Sequence, residues 1–324
     1  MSEPLVSVVT PVYNGAEFIH ECIESVLAQT YENWEYLIVD NCSTDGTLEI
    51  ARSYEDRDPR IRVLTPNAFV DQIESGNRSL REIAPESKYT KVLHADDWLF
   101  PECLERMVEV AERNPSVGIV SAYRLEETKV TLTGLPVAIS VVRGREICRS
   151  TLLGPLYLFG SPTSILVRSD LVRARDPFYD RTFCVTEDYA LSEDQDVCCA
   201  ILGQSDFGFV HQVLTFTRRP AGSPFSAFVR LGAFLPELTN LVTRYGRVYL
   251  TRREYQCRLA ALLARYGFFL LTRFPRLADP DFRVYHRAAA LRLMRRVDRR
   301  DVLAGVLRNL QRMLKIQRLG PGTG

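Results

Sequence analysis

The chain has 324 residues, 46% hydrophobic and 25% charged, a balance that supports a packed core and excludes a disordered or low-complexity protein. No apolar run approaches the ~20 residues a membrane-spanning helix requires, the longest candidate being Tyr266-Gly-Phe-Phe-Leu-Leu271. The net charge of +1 conceals an asymmetry: residues 241–324 hold 19 basic and 5 acidic side chains, an excess of +14, and residues 1–240 hold 22 basic and 35 acidic, an excess of −13. Such a split predicts two modules, the second facing an anionic surface or partner. Met1-Ser-Glu-Pro leads straight into a strand pattern, so no signal peptide is expected there. The eight cysteines (22, 42, 103, 148, 184, 198, 199 and 257) lack metal-site spacing, which predicts buried thiols in a reducing cytoplasm.

In chain order, Leu5-Val-Ser-Val-Val-Thr10 reads as a buried strand ended by Pro11. Phe18, Ile19, Cys22, Ile23, Val26 and Leu27 recur at helical spacing. Trp34 to Val39 is a second strand, ending in Asp40-Asn41, and Ser43 to Thr47 supplies caps for a helix that continues to Tyr54. Ile61 to Leu64 is a third strand, Ile73 to Ile83 a helix, Tyr89 to Leu93 a fourth strand, Pro101 to Arg113 a helix and Val117 to Ala122 a fifth strand. This alternation predicts an α/β fold with a mostly parallel, doubly wound sheet and helices on both faces. Beyond it come a short helix at 144–153, strands at 164–167 and 210–217, and a helix at 194–202. From Phe225 strand signals stop. Residues 226–245, 251–273, 282–297 and 301–317 read as amphipathic helices, giving a first domain at 1–225, a basic helical module at 226–318 and a tail at 319–324.

The first strand–helix turn, Thr10-Pro-Val-Tyr-Asn14, lacks the GxGxxG phosphate loop of dinucleotide binders, although Tyr13 offers a ring face to a base. Asp40 and Asn41 stand at a strand end, where ligand crevices form in such sheets; a polar loop with a helix cap explains them equally well. Lys91-Val-Leu-His-Ala-Asp-Asp97 ends a strand in adjacent carboxylates. These are either solvated loop acids or the seat of Mg²⁺ or Mn²⁺, which bind through one or two carboxylates plus substrate phosphates; His94 reads as a strand-end histidine rather than a ligand. Glu193-Asp194-Gln-Asp196 complements a helix dipole but holds more acids than a cap needs, so one of them can accept a proton. Glu187-Asp188 is a competing pair. His211, Arg218 and Arg219 follow a strand and either face a diphosphate or form ordinary surface charge.

In this order the segments resemble the family 2 glycosyltransferases of bacterial glycan assembly, which have the GT-A fold. The matching residues are Val6-Ser-Val-Val-Thr-Pro-Val-Tyr-Asn-Gly15, Ser25-Val-Leu-Ala-Gln-Thr30, Val39-Asp-Asn-Cys-Ser-Thr-Asp-Gly-Thr47, Asn77, His94-Ala-Asp-Asp97 and Glu193-Asp-Gln-Asp196. The resemblance implies that Thr10, Pro11, Tyr13, Asp40, Asn41 and Asn77 border the nucleotide, and that Asp96 lies near ribose and metal. It also implies Asp97 as the principal metal ligand and Asp194 as the general base of an inverting transfer. The implied donor is a nucleotide diphosphate sugar, UDP being the first choice, and the acceptor a glycan or lipid-linked hydroxyl, with no nucleic acid involved. Glu193, His211, Arg218 and Arg219 are candidate diphosphate or acceptor contacts. Two departures stand out: Asn41 occupies a position where many relatives carry aspartate, and His94 takes the first place of a longer D-x-D-D pattern. The arginine-rich helices read as a contact for the inner membrane surface, as a glycan or homodimer contact, or as a solvated cap. The competing functions are a sugar-nucleotide pyrophosphorylase, which needs the missing glycine-rich loop, and a non-catalytic nucleotide-sugar-binding scaffold.

Overall fold

The computed structural model describes residues 3–154, 156–185, 192–220 and 224–318. The chain divides into two compact units. The first comprises residues 1–147, 156–181 and 193–220; the second comprises 148–155, 182–192 and 221–324. Glu187 and Asp188 lie outside the described residues.

The first unit opens with β1 (Val6–Val12), α1 (Ile19–Leu27), β2 (Trp34–Asp40), α2 (Thr47–Glu55), β3 (Ile61–Leu64), α3 (Gln72–Arg81) and β4 (Tyr89–Val92). It continues through β5 (Trp98–Leu99), α4 (Cys103–Arg113), β6 (Val117–Glu126), β7 (Lys129–Thr131) and β8 (Val141–Val142). The helix α5 (Gly144–Leu153) begins in the first unit and passes into the second after Ile147; the first unit then resumes with β9 (Ile165–Arg168), α6 (Ser169–Arg173), α7 (Glu193–Ile201) and β10 (Asp206–Thr217). The sheet order is β3-β2-β1-β4-β9-β6-β10-β5, with β7 on β6 and β8 on β10. Strands β3, β2, β1 and β4 are parallel. The sheet is mixed beyond them, because β9 runs antiparallel to both β4 and β6, while β6 and β10 are again parallel.

β1 and β2 are buried almost throughout, as a sheet covered on both faces demands. The α1 stripe Ile19, Cys22, Ile23 and Val26 and the α4 stripe Leu104, Met107, Val108 and Ala111 pack into the same core as Val8 and Ile38. Within this core sits Lys91, whose Nζ has Met107 Sδ at 3.5 Å; burial holds its pKa below the ordinary lysine value.

The second unit contains α8 (Pro224–Leu231), α9 (Phe234–Tyr249), α10 (Arg252–Thr272), α11 (Pro280–Arg296) and α12 (Arg299–Arg318). Sequence periodicity predicts one helix over 226–245. The chain instead breaks it at Gly232, whose φ of +64° suits a residue without a Cβ. Thr251 and Glu254 form a capping box at the start of α10, and Asp279 caps α11 ahead of Pro280. Leu231, Ala233, Tyr266, Tyr285, Ala289 and Leu293 form the core. Among them His286 donates Nε2–H to the Leu231 carbonyl and accepts from the Tyr266 hydroxyl, both at 2.8 Å, a neutral arrangement that burial favours. Helix α12 reaches α10 through Gly305, where a Cβ would stand 2.0 Å from the Gln256 carbonyl oxygen. No helix among the described residues is long and apolar enough to cross a membrane.

Candidate active site at the carboxyl ends of the strands

The turn after β1 and the loop after β2 are fastened together. The Asn14 amide N–H donates to Ser43 Oγ at 2.8 Å, Gly15 N–H to Thr47 Oγ1 at 2.8 Å and Ala16 N–H to Asp45 Oδ2 at 3.0 Å. Residues 43–47 therefore join two loops as well as opening α2. Their ring-bearing edge is Tyr13, which meets Phe69 edge-on at 4.8 Å, both rings exposed.

Asp40 is fully buried at the end of β2. One carboxylate oxygen accepts from Ser43 N–H at 3.1 Å, and the other, Oδ1, is buried with no partner among the described residues. An unpartnered buried acceptor costs about 1–3 kcal/mol, so Asp40 is poised for a donor from outside. The neighbouring Asn41 is committed: its amide donates to the Val70 carbonyl at 2.7 Å and accepts from Val70 N–H at 3.1 Å. Asn77 does the same for Tyr179, at 3.0 and 2.8 Å. Thr10 turns its hydroxyl into the core, donating to the Leu93 carbonyl at 2.8 Å beside Tyr36. The side chains of Thr10, Asn41 and Asn77 thus brace the backbone from within, while Asp40 keeps one acceptor open, Tyr13 is exposed and Pro11 is half-buried.

The carboxylates after β4 are positioned by a strand too short to leave a sequence signature. β5 pairs antiparallel with β10 at Leu99–Thr215 and Trp98–Phe216, the two rings stacked at 3.6 Å. That pairing delivers Thr217 and Arg218 to Asp97, which accepts from Thr217 Oγ1 at 3.3 Å and from Arg218 N–H at 3.0 Å. Asp97 is buried, and burial pushes its carboxyl up to about 6, Asp96 adding to the rise while His94, Thr163 and the Arg218 N–H oppose it. The candidate ligand atoms of His94, Asp96 and Asp97 lie within 4.8 Å of one another, with His94 Nδ1 3.9 Å from Asp97 Oδ2. Two oxygen donors, one of them a desolvated carboxylate beside another acid, suit a hard divalent cation, and His94 stands beside them.

Asp194 opens α7, which packs against β6. Burial raises its carboxyl above the ordinary range, opposed by the Gln195 N–H at 2.8 Å and by the charges of His94 and Arg124. Arg124 in turn feels Asp97. Asp194 therefore lies within electrostatic reach of the cluster holding Asp97. Glu193 is raised too, by burial and by Asp194, and its Oε2 is buried without a partner among the described residues.

Arg218 bonds Glu21 at 2.6 Å and the Asp96 carbonyl at 3.2 Å, with its guanidinium 4.4 Å from the Phe18 ring centre. Arg219 pairs with Glu126 at 2.9 Å, and Glu126 also bonds Arg124. His211 is held on β10 between the Tyr123 hydroxyl at 2.9 Å and the Ile139 carbonyl at 2.8 Å, so both ring nitrogens are engaged. Sequence reading missed Arg124, Glu126, Thr163, Thr217 and Glu21. Only Arg124 left a signal, a charge interrupting the apolar run of β6.

With this geometry in hand, the model of glycosyl transferase family 2 matches residues 7–174, more than half of the chain. The chain belongs to that family. It is 33% identical over 129 residues to the glycosyltransferase GlyG of Streptococcus pneumoniae serotype 4, a match covering 40% of this chain and 42% of GlyG. The chain spans 13% to 48% of the length of three curated relatives it matches. Among solved structures, S. aureus TarS 1-349 in complex with UDP-GlcNAc superposes with a TM-score of 0.65 at 18% identity, covering 92% of this chain and 82% of that one. The mannosyltransferase PcManGT of Pyrobaculum calidifontis, solved with GDP-Man and Mn²⁺, gives 0.53 at 16% identity, covering 96% and 88%. The fold is GT-A.

Proposed function

We propose that the chain is an inverting glycosyltransferase that moves a sugar from a nucleotide diphosphate sugar to a hydroxyl of a glycan or lipid-linked acceptor. The observation that carries this reading is that Asp194, about 100 residues further along the chain, feels the charge of His94 in the His94–Asp97 cluster. A fold shared with proteins solved with UDP-GlcNAc and with GDP-Man supports the donor class.

Asp40 accepts from the nucleotide, Tyr13 covers the base, and Asn41 holds the 66–71 loop against both through Val70. Asp97 and Asp96 would hold a Mg²⁺ or Mn²⁺ ion, which when bound neutralises charge on a diphosphate. Asp194 takes the proton of the acceptor hydroxyl as its oxygen bonds the anomeric carbon. The bond from that carbon to the diphosphate oxygen breaks in the same displacement, its electron pair leaving with the nucleoside diphosphate. Arg218, paired with the exposed Glu21, is the cation best placed to exchange a carboxylate for a phosphate. Residues 1–225 act as the catalytic domain. The compartment is the cytoplasm, supported by eight cysteines that form no disulfide.

Thermal stabilisation by UDP, GDP or dTDP with and without Mn²⁺, followed by a screen of sugar nucleotides for hydrolysis or transfer, tests the reading. Mn²⁺-dependent stabilisation with donor turnover is expected. Stabilisation without turnover of any donor would leave the binding scaffold, and pyrophosphate-dependent turnover the pyrophosphorylase.

A further inference from the structure

The helical unit carries an amphipathic face that its own core does not use. Along α12, Leu303, Val306, Leu307 and Leu310 are exposed by 63%, 39%, 53% and 50%. Spacings of three, four and seven residues put them in one stripe about 10 Å long, at 1.5 Å of rise per residue. The opposite side of the helix is fixed. Gly305 closes on the α10 backbone, Asn309 donates to the Cys257 carbonyl at 3.1 Å, and Asp301 accepts from Gln256 at 2.7 Å. The stripe therefore cannot turn inward without breaking that seam.

The charges around it are mostly positive. Arg299, Arg300 and Arg308 stand on α12, and residues 241–324 as a whole carry the +14 excess. The acid that α12 contributes, Asp301, is held by Arg247 at 2.6 Å as well as by Gln256. A second copy of this face would bring Arg299 and Arg300 toward their own counterparts, with the half-exposed Asp298, 4.0 Å from Arg247, as the neighbouring acid, so like-charged approaches outnumber opposite ones. A sugar polymer would complement the arginines but offers no hydrocarbon for four leucine and valine side chains. An anionic lipid surface supplies both: headgroup phosphates for the arginines and acyl chains for the stripe.

We propose that the outer face of α12 seats the helical unit on bilayers rich in anionic lipid, Leu303, Val306, Leu307 and Leu310 entering the acyl boundary and Arg299 and Arg300 meeting the headgroups. The inference rests on the helical unit alone and is independent of the identity of the donor.

Flotation of the full chain with phosphatidylcholine vesicles, with and without a phosphatidylglycerol fraction, tests it without any readout of activity. Binding to the anionic vesicles only, falling as salt is added, is expected. Leu307→Asp with Leu310→Asp should lower the partition coefficient at least roughly tenfold, and Arg299→Gln and Arg300→Gln roughly fivefold each. All four positions lie outside the core, so thermal midpoints should stay near that of the parent. Equal binding to both vesicle types, or none to either, overturns the proposal. So does a concentration-dependent dimer in light scattering that the leucine variants dissociate, which would give the face to a second copy.

Discussion

The two units keep their awkward side chains in opposite places. The sheet unit buries ionisable groups inside an apolar frame: Lys91 in the core, Asp40 and Asp97 at strand ends, each fully or almost fully covered. The helical unit leaves apolar groups outside. Of the large exposed hydrophobics among the described residues, six belong to the sheet unit and fourteen to the helical unit, although the latter is the smaller. Desolvated carboxylates are costly unless a cation or donor arrives, which is the physical basis of the ligand site proposed for the first unit. Exposed apolar patches are costly in water unless a surface covers them, which is the physical basis of the docking face proposed for the second.

The strongest test of this contrast is at Asp194. Asp194→Asn should lower turnover by about 10² to 10⁴-fold while leaving Mn²⁺-dependent stabilisation by the nucleotide intact, whereas Asp97→Asn should abolish that stabilisation. Loss of nucleotide binding in both variants would remove the division of roles. A base with a raised pKa is protonated, and idle, at a pH where an ordinary aspartate with a pKa of about 4 is already ionised. The acid limb of kcat/KM should therefore fall well above that value. A limb near pH 4 would mean that burial does not govern Asp194.

Smaller effects separate the units by stability. Gly305→Ala pushes a methyl against the Gln256 carbonyl and should cost about 1–3 kcal/mol of the helical unit alone. Trp34 and Trp98, the two tryptophans, are both in the sheet unit, so fluorescence reports that unit and far-ultraviolet dichroism both. The dichroism midpoint in urea should fall and the fluorescence midpoint stay; a joint fall would make the two units one cooperative block. Lys91→Met should act in reverse, raising the fluorescence midpoint through a gain of about 1–2 kcal/mol in the stability of the sheet unit. Its sign follows from the lowered pKa: folding favours the neutral amine, so wild-type stability rises with pH toward the unfolded lysine value. The gain from methionine should accordingly be largest near pH 7 and shrink toward pH 10.

Much of this molecule was legible in one dimension. The strand pattern of Val6–Val12 and Trp34–Asp40, the α1 and α4 stripes and the acids at Asp96, Asp97 and Asp194 are local signals, because period and side-chain type are properties of neighbouring residues. What the tertiary structure alone decided is who meets whom. It turned Thr10, Asn41 and Asn77 inward as braces, grouped His94 with Asp96 and Asp97, brought Arg124 within electrostatic reach of both Asp97 and Asp194, and used the two residues of β5 to bring Thr217 and Arg218 to Asp97. It also pinned one side of α12 to α10, leaving its leucines outside. Hydrogen-bond partners, burial and the pKa changes that follow depend on atoms far apart in the chain, and a pattern read along the chain carries no record of which of them packing will bring together.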